Sequence, residues 1–342
     1  MTARRVVVVG LGHVGGPLHE VLRRTHQVWG VDRDATRPGA GEAPDEPVDI
    51  AIVAVPTPMG PHGPDTSAVE AAARQASGWL VADGLLIVAS TCPVGTCRRL
   101  AEALGRPVVA MPERGIPERM GEEMVSLDRV VGGTHPEATE AAVAFVRTWC
   151  RGQVHGVVAE EAELIKLVEN SWRDVAIAFV NDLATTAEGL GLDPGRLVRL
   201  AEGHPRVSLA RPGIGVGGHC LPVDPQFLPE SMTMSAAARR ANEHRTSVVL
   251  TQIRTAAEAA GAERVGVLGL TYKPGVADVR NAPAVWLAEQ LGALAHDPLV
   301  PPEATPSVAR GDLDDVLACG WVVKLVGHEA YEGVPVDQDL TR

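Results

Sequence analysis

The stretch Arg5-Val6-Val7-Val8-Val9-Gly10-Leu11-Gly12-His13-Val14-Gly15 decides the fold of this 342-residue chain. An apolar run that ends in closely spaced glycines predicts a buried strand followed by a tight turn. A helical pattern follows through Pro17-Leu18-His19-Glu20-Val21-Leu22, then a second strand at Val28-Trp29-Gly30-Val31, closed by Asp32. Glycines let such a turn close and let a pyrophosphate approach the backbone, while the helix N-terminus stabilises its charge. Asp32 lies 22 residues after Gly10. There it can accept hydrogen bonds from ribose hydroxyls, and an acid favours NAD over NADP, whose extra phosphate it repels. The alternative is an ordinary strand-to-helix turn with no ligand.

Outward from this unit the pattern repeats. Asp49 to Val55 reads as a buried strand leading into Pro56-Thr57-Pro58. Leu85 to Ala89 leads into Ser90-Thr91-Cys92-Pro93-Val94-Gly95-Thr96, and Pro107 to Ala110 into Met111-Pro112-Glu113-Arg114. Apolar strands alternating with helical stretches predict a parallel sheet covered on both faces, with ligands beyond the carboxyl ends of its strands. Glu160 to Leu190 is the longest helical pattern, with an apolar stripe at Leu164, Leu167, Val168, Val175, Phe179 and Leu183. Lys166, Asn170 and Arg173 or Asp174 line another face. A Pro/Gly-rich loop covers Glu202 to Gly218, and a second long helix covers Ser231 to Gly261, with Arg239, Arg240 and Asn242 near its start. A second α/β unit begins at Arg264, with strands at Val265–Leu270, Leu291–Ala295 and Trp321–Val326. The fold class is therefore α/β: two Rossmann-like, doubly wound parallel-sheet domains joined by a helical region. The expected division is 1–156, 157–262 and 263–342.

Composition narrows the function. The formal net charge of −12 argues against nucleic acid as a partner. No apolar run is long enough to span a bilayer, and Met1-Thr2-Ala3-Arg4-Arg5 does not open a signal peptide, so a cytoplasmic protein is expected. The five cysteines, Cys92, Cys97, Cys150, Cys220 and Cys319, are odd in number and scattered. That spacing suggests neither a disulfide framework nor a zinc site, and no metal is expected. Cys92 and Cys97 read as small buried side chains, and Trp172 and Trp286 as helix-packing residues rather than base-stacking ones.

One cysteine stands apart, in Gly215-Val216-Gly217-Gly218-His219-Cys220-Leu221-Pro222-Val223-Asp224-Pro225. Glycines let backbone and ligand come close to the sulfur. Pro222 suits the first turn of a helix, whose dipole would favour the Cys220 thiolate. The alternative is a glycine-rich turn holding a chance cysteine.

These blocks, in this order, resemble the nucleotide-sugar 6-dehydrogenase family over nearly the whole chain, Val6 to about Val326. The matching pieces are the Gly10–Gly15 turn, Val55-Pro56-Thr57-Pro58, Ser90-Thr91, Pro112-Glu113-Arg114, Lys166-Leu167-Val168-Glu169-Asn170, the Cys220 block, and Leu268-Gly269-Leu270 through Lys273 to Arg280. The Gly-Gly-His-Cys and Val-Asp-Pro pieces, with His204-Pro205-Arg206-Val207, look most like the branch that oxidises UDP-N-acetylmannosamine or UDP-N-acetylglucosamine.

The resemblance implies oxidation of a sugar C6 alcohol to a carboxylate with two NAD per sugar, through a thiohemiacetal and a thioester on Cys220. It also implies a homodimer made through the central helices. Lys166 and Asn170 would hold oxyanion charge, and Asp224 would orient or activate water. Thr91 would position that water or contact the nicotinamide end, and Glu113 would assist proton transfer. Asp224 as a helix cap and Glu113 as the ion-pair partner of Arg114 or a neighbour are the plainer alternatives. The implied cofactor residues are Gly10, Gly12, His13, Val14, Gly15, Asp32, Arg33, Pro56, Thr57, Thr91 and Arg280, the last on the pyrophosphate. The implied residues for a nucleotide-sugar substrate, a UDP-sugar foremost, are Glu113, Arg114, Lys166, Asn170, Arg206, Gly217, Gly218 and Lys273, with Arg206 reaching across a dimer. His13 and His219 are not read as acid/base groups.

The chain is shorter than typical family members in two places. Arg33 to Val48 is too short for the usual helix and strand, so the adenosine side of the cofactor site is expected to be open. Gly292 to Arg310 is compressed where relatives contact the nucleotide base, and Val300-Pro301-Pro302 reads as a loop. Two other functions compete: a two-electron dehydrogenase of another alcohol, which would not need Cys220, and a non-catalytic binder of nucleotide sugar or NAD.

Overall fold

A computed structural model describes residues 3–116, 119–229 and 231–341. Met1 and Thr2 of the quoted N-terminus lie outside the described residues. The chain divides into two compact units, residues 1–169 and 170–342.

The first unit opens with β1 (Arg5–Val9), α1 (Gly15–Leu22), β2 (Gln27–Val31) and β3 (Val48–Val53). A small hairpin, β4 (Met59–Gly60) and β5 (Gly63–Pro64), precedes α2 (Ser67–Ser77) and β6 (Leu80–Val88). Then come α3 (Thr96–Leu104), β7 (Val108–Ala110), α4 (Met120–Ser126), β8 (Arg129–Gly133), α5 (Pro136–Val146) and β9 (Val154–Val158). Among the described residues the sheet order is β2-β1-β3-β6-β7-β8-β9.

Side chains alternate across a strand, so a sheet covered on both faces needs apolar residues at every position. The valine run of β1 meets that need. Val6 and Val8 join one core with Ile50, Ile52, Ile87 and Val109. Val7 and Val9 join a second core on the other face with Ala51, Val53, Leu86 and Val88.

The expected all-parallel sheet is corrected at one joint. β7 and β8 run antiparallel, with Val109 opposite Gly133, and β9 then pairs parallel to β8. Neither β8 nor β9 was anticipated; Gly132, Gly133, His155 and Gly156 dilute their strand signal. The short Arg33–Val48 stretch contains no helix before β3, as expected. It lies close against β2 instead: Gly41 N–H donates to Gly30 O at 2.9 Å, and a Cβ on Gly30 would sit 2.3 Å from Gly39 O.

Helix α6 spans Ala159–Gly189. Its sequence holds no proline and only a terminal glycine, and Glu160 and Glu161 in its first turn complement the helix dipole. The expected apolar stripe is split in two. Leu167 is fully buried, whereas Leu164, Val168 and Phe179 point outward, Phe179 at 60 % exposure, as does Trp172 outside that stripe at 68 %. Trp172 is thus not a packing residue within this chain, and Trp286 is also exposed.

The second unit continues with α7 (Pro194–Ala201) and α8 (Thr233–Ala259). Its own sheet follows: β10 (Val265–Leu268), α9 (Pro283–Leu291), β11 (Leu294–His296), β12 (Ala309–Arg310), α10 (Leu313–Leu317), β13 (Trp321–Lys324) and β14 (Gln338–Asp339). The order is β12-β11-β10-β13-β14, parallel throughout. The compressed 292–310 segment carries a single 3-10 turn at Pro302–Ala304. The Arg310 guanidinium gathers that segment by donating to the carbonyls of Ala295, Asp297 and Val300.

Candidate active site

In the first unit, Gly10 ends β1 with φ +89°, a left-handed conformation that glycine adopts without steric cost. A Cβ on Gly15 would lie 1.8 Å from Gly10 O, so α1 can start against the turn only with glycine there. Gly12 differs. Among the described residues nothing lies within 4 Å of its Cβ position, which leaves bare backbone where a phosphate can approach. Asp32 is fixed by the same turn: its Oδ2 accepts Leu11 N–H at 2.6 Å and its Oδ1 accepts Asp34 N–H at 2.9 Å. Val14 precedes the first turn of α1, and its carbonyl accepts Leu18 N–H at 3.1 Å. His13 and Arg33 are exposed beside the turn. The open Gly12 face and the anchored acid fit a dinucleotide.

The strand ends beside this turn are tied together. Ser90 Oγ donates to Val55 O at 2.7 Å and accepts Val55 N–H at 3.0 Å, joining the ends of β3 and β6. Pro56 is exposed, and Thr57 Oγ1 lies 4.0 Å from Cys92 Sγ. Thr91 and Lys166 line one small pocket with Ser90, Cys92, Pro112 and Glu163. Cys92 and Cys97 are buried, as expected.

Glu163 was not foreseen as part of the site. Its carboxylate accepts Gly95 N–H at 2.6 Å and Cys97 N–H at 2.7 Å, so α6 caps the N-terminus of α3. Burial pushes the Glu163 carboxyl up, against the pull of those backbone hydrogen bonds. Its sequence signal was an acid one turn before Lys166 in an apolar helix.

Glu113 has the geometry of its plainer alternative. Oε2 accepts from Arg129 Nη1 at 2.7 Å, both side chains being buried. Oε1 accepts the N–H groups of Arg114 and Gly115 at 2.8 and 2.7 Å. The ion-pair partner is Arg129 rather than Arg114. Arg114 instead donates to Asp128 O at 2.8 Å and pairs with Glu169 at 2.5 Å.

In the second unit, the Cys220 turn packs so closely that its glycines are required. A Cβ on Gly215 would lie 2.2 Å from Thr246 Oγ1, and one on Gly217 2.7 Å from Asn281 O. Gly218, at φ +89°, sits against the Tyr272 ring. The expected helix after Cys220 is only a four-residue 3-10 turn, Asp224–Phe227. So short an element has no appreciable dipole, and the dipole argument for Cys220 does not hold.

A guanidinium takes that place. Arg280 lies beside the turn, with Gly218 N–H donating to Arg280 O at 2.9 Å and Arg280 Nη2 3.1 Å from His219 Nδ1. Hydrogen bonding to Asp278 is the main cause that holds Arg280 charged above its ordinary range, and the nearby Cys220 adds in the same direction. Cys220 itself is half-buried. Its carbonyl accepts Asp224 N–H at 2.8 Å, and the buried Asp224 carboxylate accepts from Asn170 Nδ2 at 2.5 Å. Lys273 is half-buried, with Nζ 5.9 Å from the Tyr272 ring centroid, while Arg206 is exposed in the loop after α7.

The two long helices of this unit are locked by buried polar groups. Arg239 grips Asp174 through Nε at 2.6 Å and Nη2 at 2.5 Å. Asn242 donates to Asp174 and accepts from Asn181. Arg245 pairs with Glu188 and donates to Gly213 O, which anchors the loop that leads to Cys220. These groups were legible as polar residues on helices, but not as partners.

Residues 40–150 match the model of the UDP-glucose/GDP-mannose dehydrogenase family NAD binding domain, and residues 160–246 match that family's central domain. The chain is 32 % identical to the UDP-N-acetyl-D-mannosamine dehydrogenase of Escherichia coli, over 98 % of this chain and 96 % of that one. This chain belongs to the UDP-glucose/GDP-mannose dehydrogenase family. It is 33 % identical to the NDP-N-acetyl-D-galactosaminuronic acid dehydrogenase of Ralstonia nicotianae, over 99 % of this chain and 94 % of that one. The solved structure of UDP-D-ManNAc dehydrogenase from Pyrococcus horikoshii superposes with a TM-score of 0.87 at 29 % identity, covering 96 % of this chain and 91 % of that one. As a member of the family it is an NAD-dependent nucleotide-sugar dehydrogenase, with NAD as its cofactor. The alignment to the Escherichia coli relative runs over 405 positions against 342 residues here, so that relative carries segments this family member lacks.

Proposed function

We propose that the enzyme oxidises the C6 alcohol of a UDP-N-acetylhexosamine to the uronic acid, through a covalent intermediate on Cys220. The observation that carries this reading is the Cys220 turn itself: a half-buried thiol beside the Arg280 guanidinium, with a buried Asn170–Asp224 pair bonded to the same segment. A cation near a cysteine favours the nucleophilic thiolate. The acylated-hexosamine class is supported by the names of the relatives above.

Gly10, Gly12, Gly15 and Asp32 would hold NAD, which when bound would supply the hydride acceptor for the sugar C6 carbon, a fresh NAD serving each of the two oxidation stages. Between those stages the Cys220 sulfur adds to the C6 aldehyde carbon, and the carbonyl oxygen takes the electron pair of the broken π bond. Lys166 and Asn170, one helical turn apart on α6, stabilise that oxygen's charge. The second oxidation leaves a thioester. Asp224 orients a water, whose oxygen forms the new C–O bond while the C–S bond breaks and the thiolate leaves. Each sugar consumes one water and two NAD, and yields one carboxylate, two NADH and three protons. Thr91 shares its pocket with Lys166 and serves the same oxygen or its water. Glu113, held by Arg129, fixes the 111–115 segment. Arg280 favours the Cys220 thiolate, and Lys273 and Arg206 take the substrate's anionic groups.

The division is read as an NAD-binding region at 1–156, a central helical region at 157–262 and a nucleotide-sugar region at 263–342; the family-model boundaries at 150 and 160 support the first of these limits. A cytoplasmic location suits an enzyme that draws on NAD and a reactive thiol; no helix among the described residues is long and apolar enough to cross a membrane. A homodimer is supported by the outward stripe of Leu164, Val168, Trp172 and Phe179, spaced to fall on one helix face.

The test is NADH formed per sugar consumed, with limiting UDP-N-acetylmannosamine, UDP-N-acetylglucosamine, UDP-glucose and GDP-mannose in turn. About two NADH per sugar is expected for four-electron chemistry on the preferred substrate. A ratio of one would replace this reading with a two-electron alcohol dehydrogenase, and no NADH with any sugar would favour a non-catalytic binder.

A further inference from the structure

The second sheet repeats the device that anchors Asp32. Gly269 ends β10 with φ +89°, as Gly10 ends β1. Leu270 N–H donates to Asp297 Oδ2 at 2.6 Å, and Leu299 N–H to Asp297 Oδ1 at 2.9 Å. The corresponding bonds to Asp32 have the same lengths. What faces the acid is different. Asp297 is buried, and its Oδ2 lies 3.1 Å from Nε2 of the equally buried His328. A carboxylate that binds ribose in such a turn must be reachable; this one is sealed by a histidine.

His328 does more than fill the place. Gly275 N–H donates to His328 Nδ1 at 3.2 Å, which makes Nδ1 the acceptor and leaves the ring proton on Nε2, facing Asp297. Thr271 Oγ1 is 3.1 Å from the same Nε2 and donates to Lys273 O at 2.8 Å. Both ring nitrogens therefore serve one loop, 271–281. That loop bonds to itself through Tyr272 N–H to Asp278 O at 3.0 Å and Arg280 N–H to Asp278 Oδ1 at 2.9 Å. Its far end is bonded to the cysteine turn, by Gly218 N–H to Arg280 O at 2.9 Å and Asn281 Nδ2 to Gly218 O at 3.0 Å. The Tyr272 ring covers Gly218. Hydrogen bonds and the short 271–281 backbone between them thus connect a buried imidazole to the residue two before Cys220.

We infer that His328, braced by Asp297, is a positioning residue for Cys220. It holds the 271–281 loop so that Arg280 stays against the His219-Cys220 segment. A buried, fully bonded network of this kind fixes one geometry because each partner would be stranded by movement. The inference rests on the proposed role of Cys220 as nucleophile.

The experiment compares H328A, H328Q and C220S with the unaltered enzyme. The readouts are the rate of Cys220 alkylation by iodoacetamide, followed by peptide mass, and kcat and KM with UDP-N-acetylmannosamine and NAD. H328A is expected to slow Cys220 alkylation about tenfold, the change given by one pH unit in thiol pKa near neutrality. It should also lower kcat about 10- to 100-fold, as misplaced reacting groups do, with KM for NAD unchanged. H328Q, whose amide can still donate to Asp297, should recover most of both losses. If H328A does not fold, H328N takes its place: it keeps an acceptor for Gly275 and loses the partner of Asp297. A folded His328 variant lacking the Asp297 contact, with unaltered alkylation and kcat, overturns the inference. C220S separates this from the underlying reading. If C220S still forms acid, the role of Cys220 fails; if C220S is inactive while the His328 variants behave as the unaltered enzyme, only the positioning role fails.

Discussion

The Asn170 side-chain amide donates to the Asp224 carboxylate at 2.5 Å, with both side chains buried and the Asp224 backbone N–H bonded to Cys220 O. The pair joins helix α6 to the segment that carries the proposed nucleophile. A short hydrogen bond between buried side chains is worth more than a surface one and holds geometry tightly.

N170A should therefore lower kcat by roughly 100-fold, the usual size of losing one oxyanion donor, with KM for NAD little changed. D224N, which keeps the shape and removes the charge, should slow thioester hydrolysis most. Rapid quench and intact-protein mass spectrometry would then find an acyl adduct on Cys220. Unchanged kcat in N170A would remove Asn170 from the oxyanion role.

Asp32 is held by Leu11 N–H and Asp34 N–H and offers its remaining lone pairs to the ribose. D32A should raise KM for NAD by roughly tenfold or more, the value of hydrogen bonds to a charged group, while kcat at saturating NAD stays near that of the unaltered enzyme. Steady-state absorbance at varied NAD measures both.

The Arg245–Glu188 pair sets an acid limit on stability. Burial pushes the Glu188 carboxyl up, but the hydrogen bonds from Arg245 and Gln252 outweigh it and hold Glu188 below its ordinary range. A depressed carboxylate contributes stability above its unfolded value of about 4.3 and loses it as pH falls through the lower folded value. Thermal melts should therefore drop below about pH 4. R245M leaves Glu188 without its cation and should cost about 2–3 kcal/mol at neutral pH, with a shallower acid limb. Equal melts for both proteins from pH 7 to pH 3 would contradict this.

The outward stripe on α6 predicts assembly. W172E combined with F179E should convert a dimer into a monomer by light scattering after size exclusion, because each charge would be buried unpaired in the interface. A double variant that retains the dimer mass would place the contact elsewhere.

Much of this was legible because the informative residues are local. The valine run, the glycine turn and Asp32 lie within one strand–helix–strand unit, and their spacing alone sets their geometry. The Cys220 glycines were equally legible, since close approach needs the absence of a side chain. What escaped was set by distant partners. β8 and β9 carry glycines and a histidine, and their pairing is decided by the sheet edge they join rather than by local propensity. An ion pair at Glu113 was legible, but its partner was not: Arg129 lies sixteen residues on. The promised helix after Cys220 failed because Pro225 follows Pro222 so closely; each lacks a backbone N–H, and only a 3-10 turn forms. Asp297 could have been found: it closes the strand that comes after a glycine-ended one, as Asp32 does, but nothing in the sequence shows that His328 covers it.

The sealing of Asp297 also bears on cofactor exchange. Two sheets share one turn geometry, yet among the described residues only the first leaves its acid uncovered. Under the four-electron reaction proposed above, the first sheet is the one that takes the nicotinamide dinucleotide, and each sugar needs two. On that proposal spent cofactor would depart and fresh cofactor arrive midway through every turnover, while the half-oxidised sugar would stay tethered to the Cys220 sulfur. Throughput would thus be tied to the ratio of oxidised to reduced cofactor around the enzyme, and accumulated NADH would act as a brake in the middle of the reaction as well as at its end.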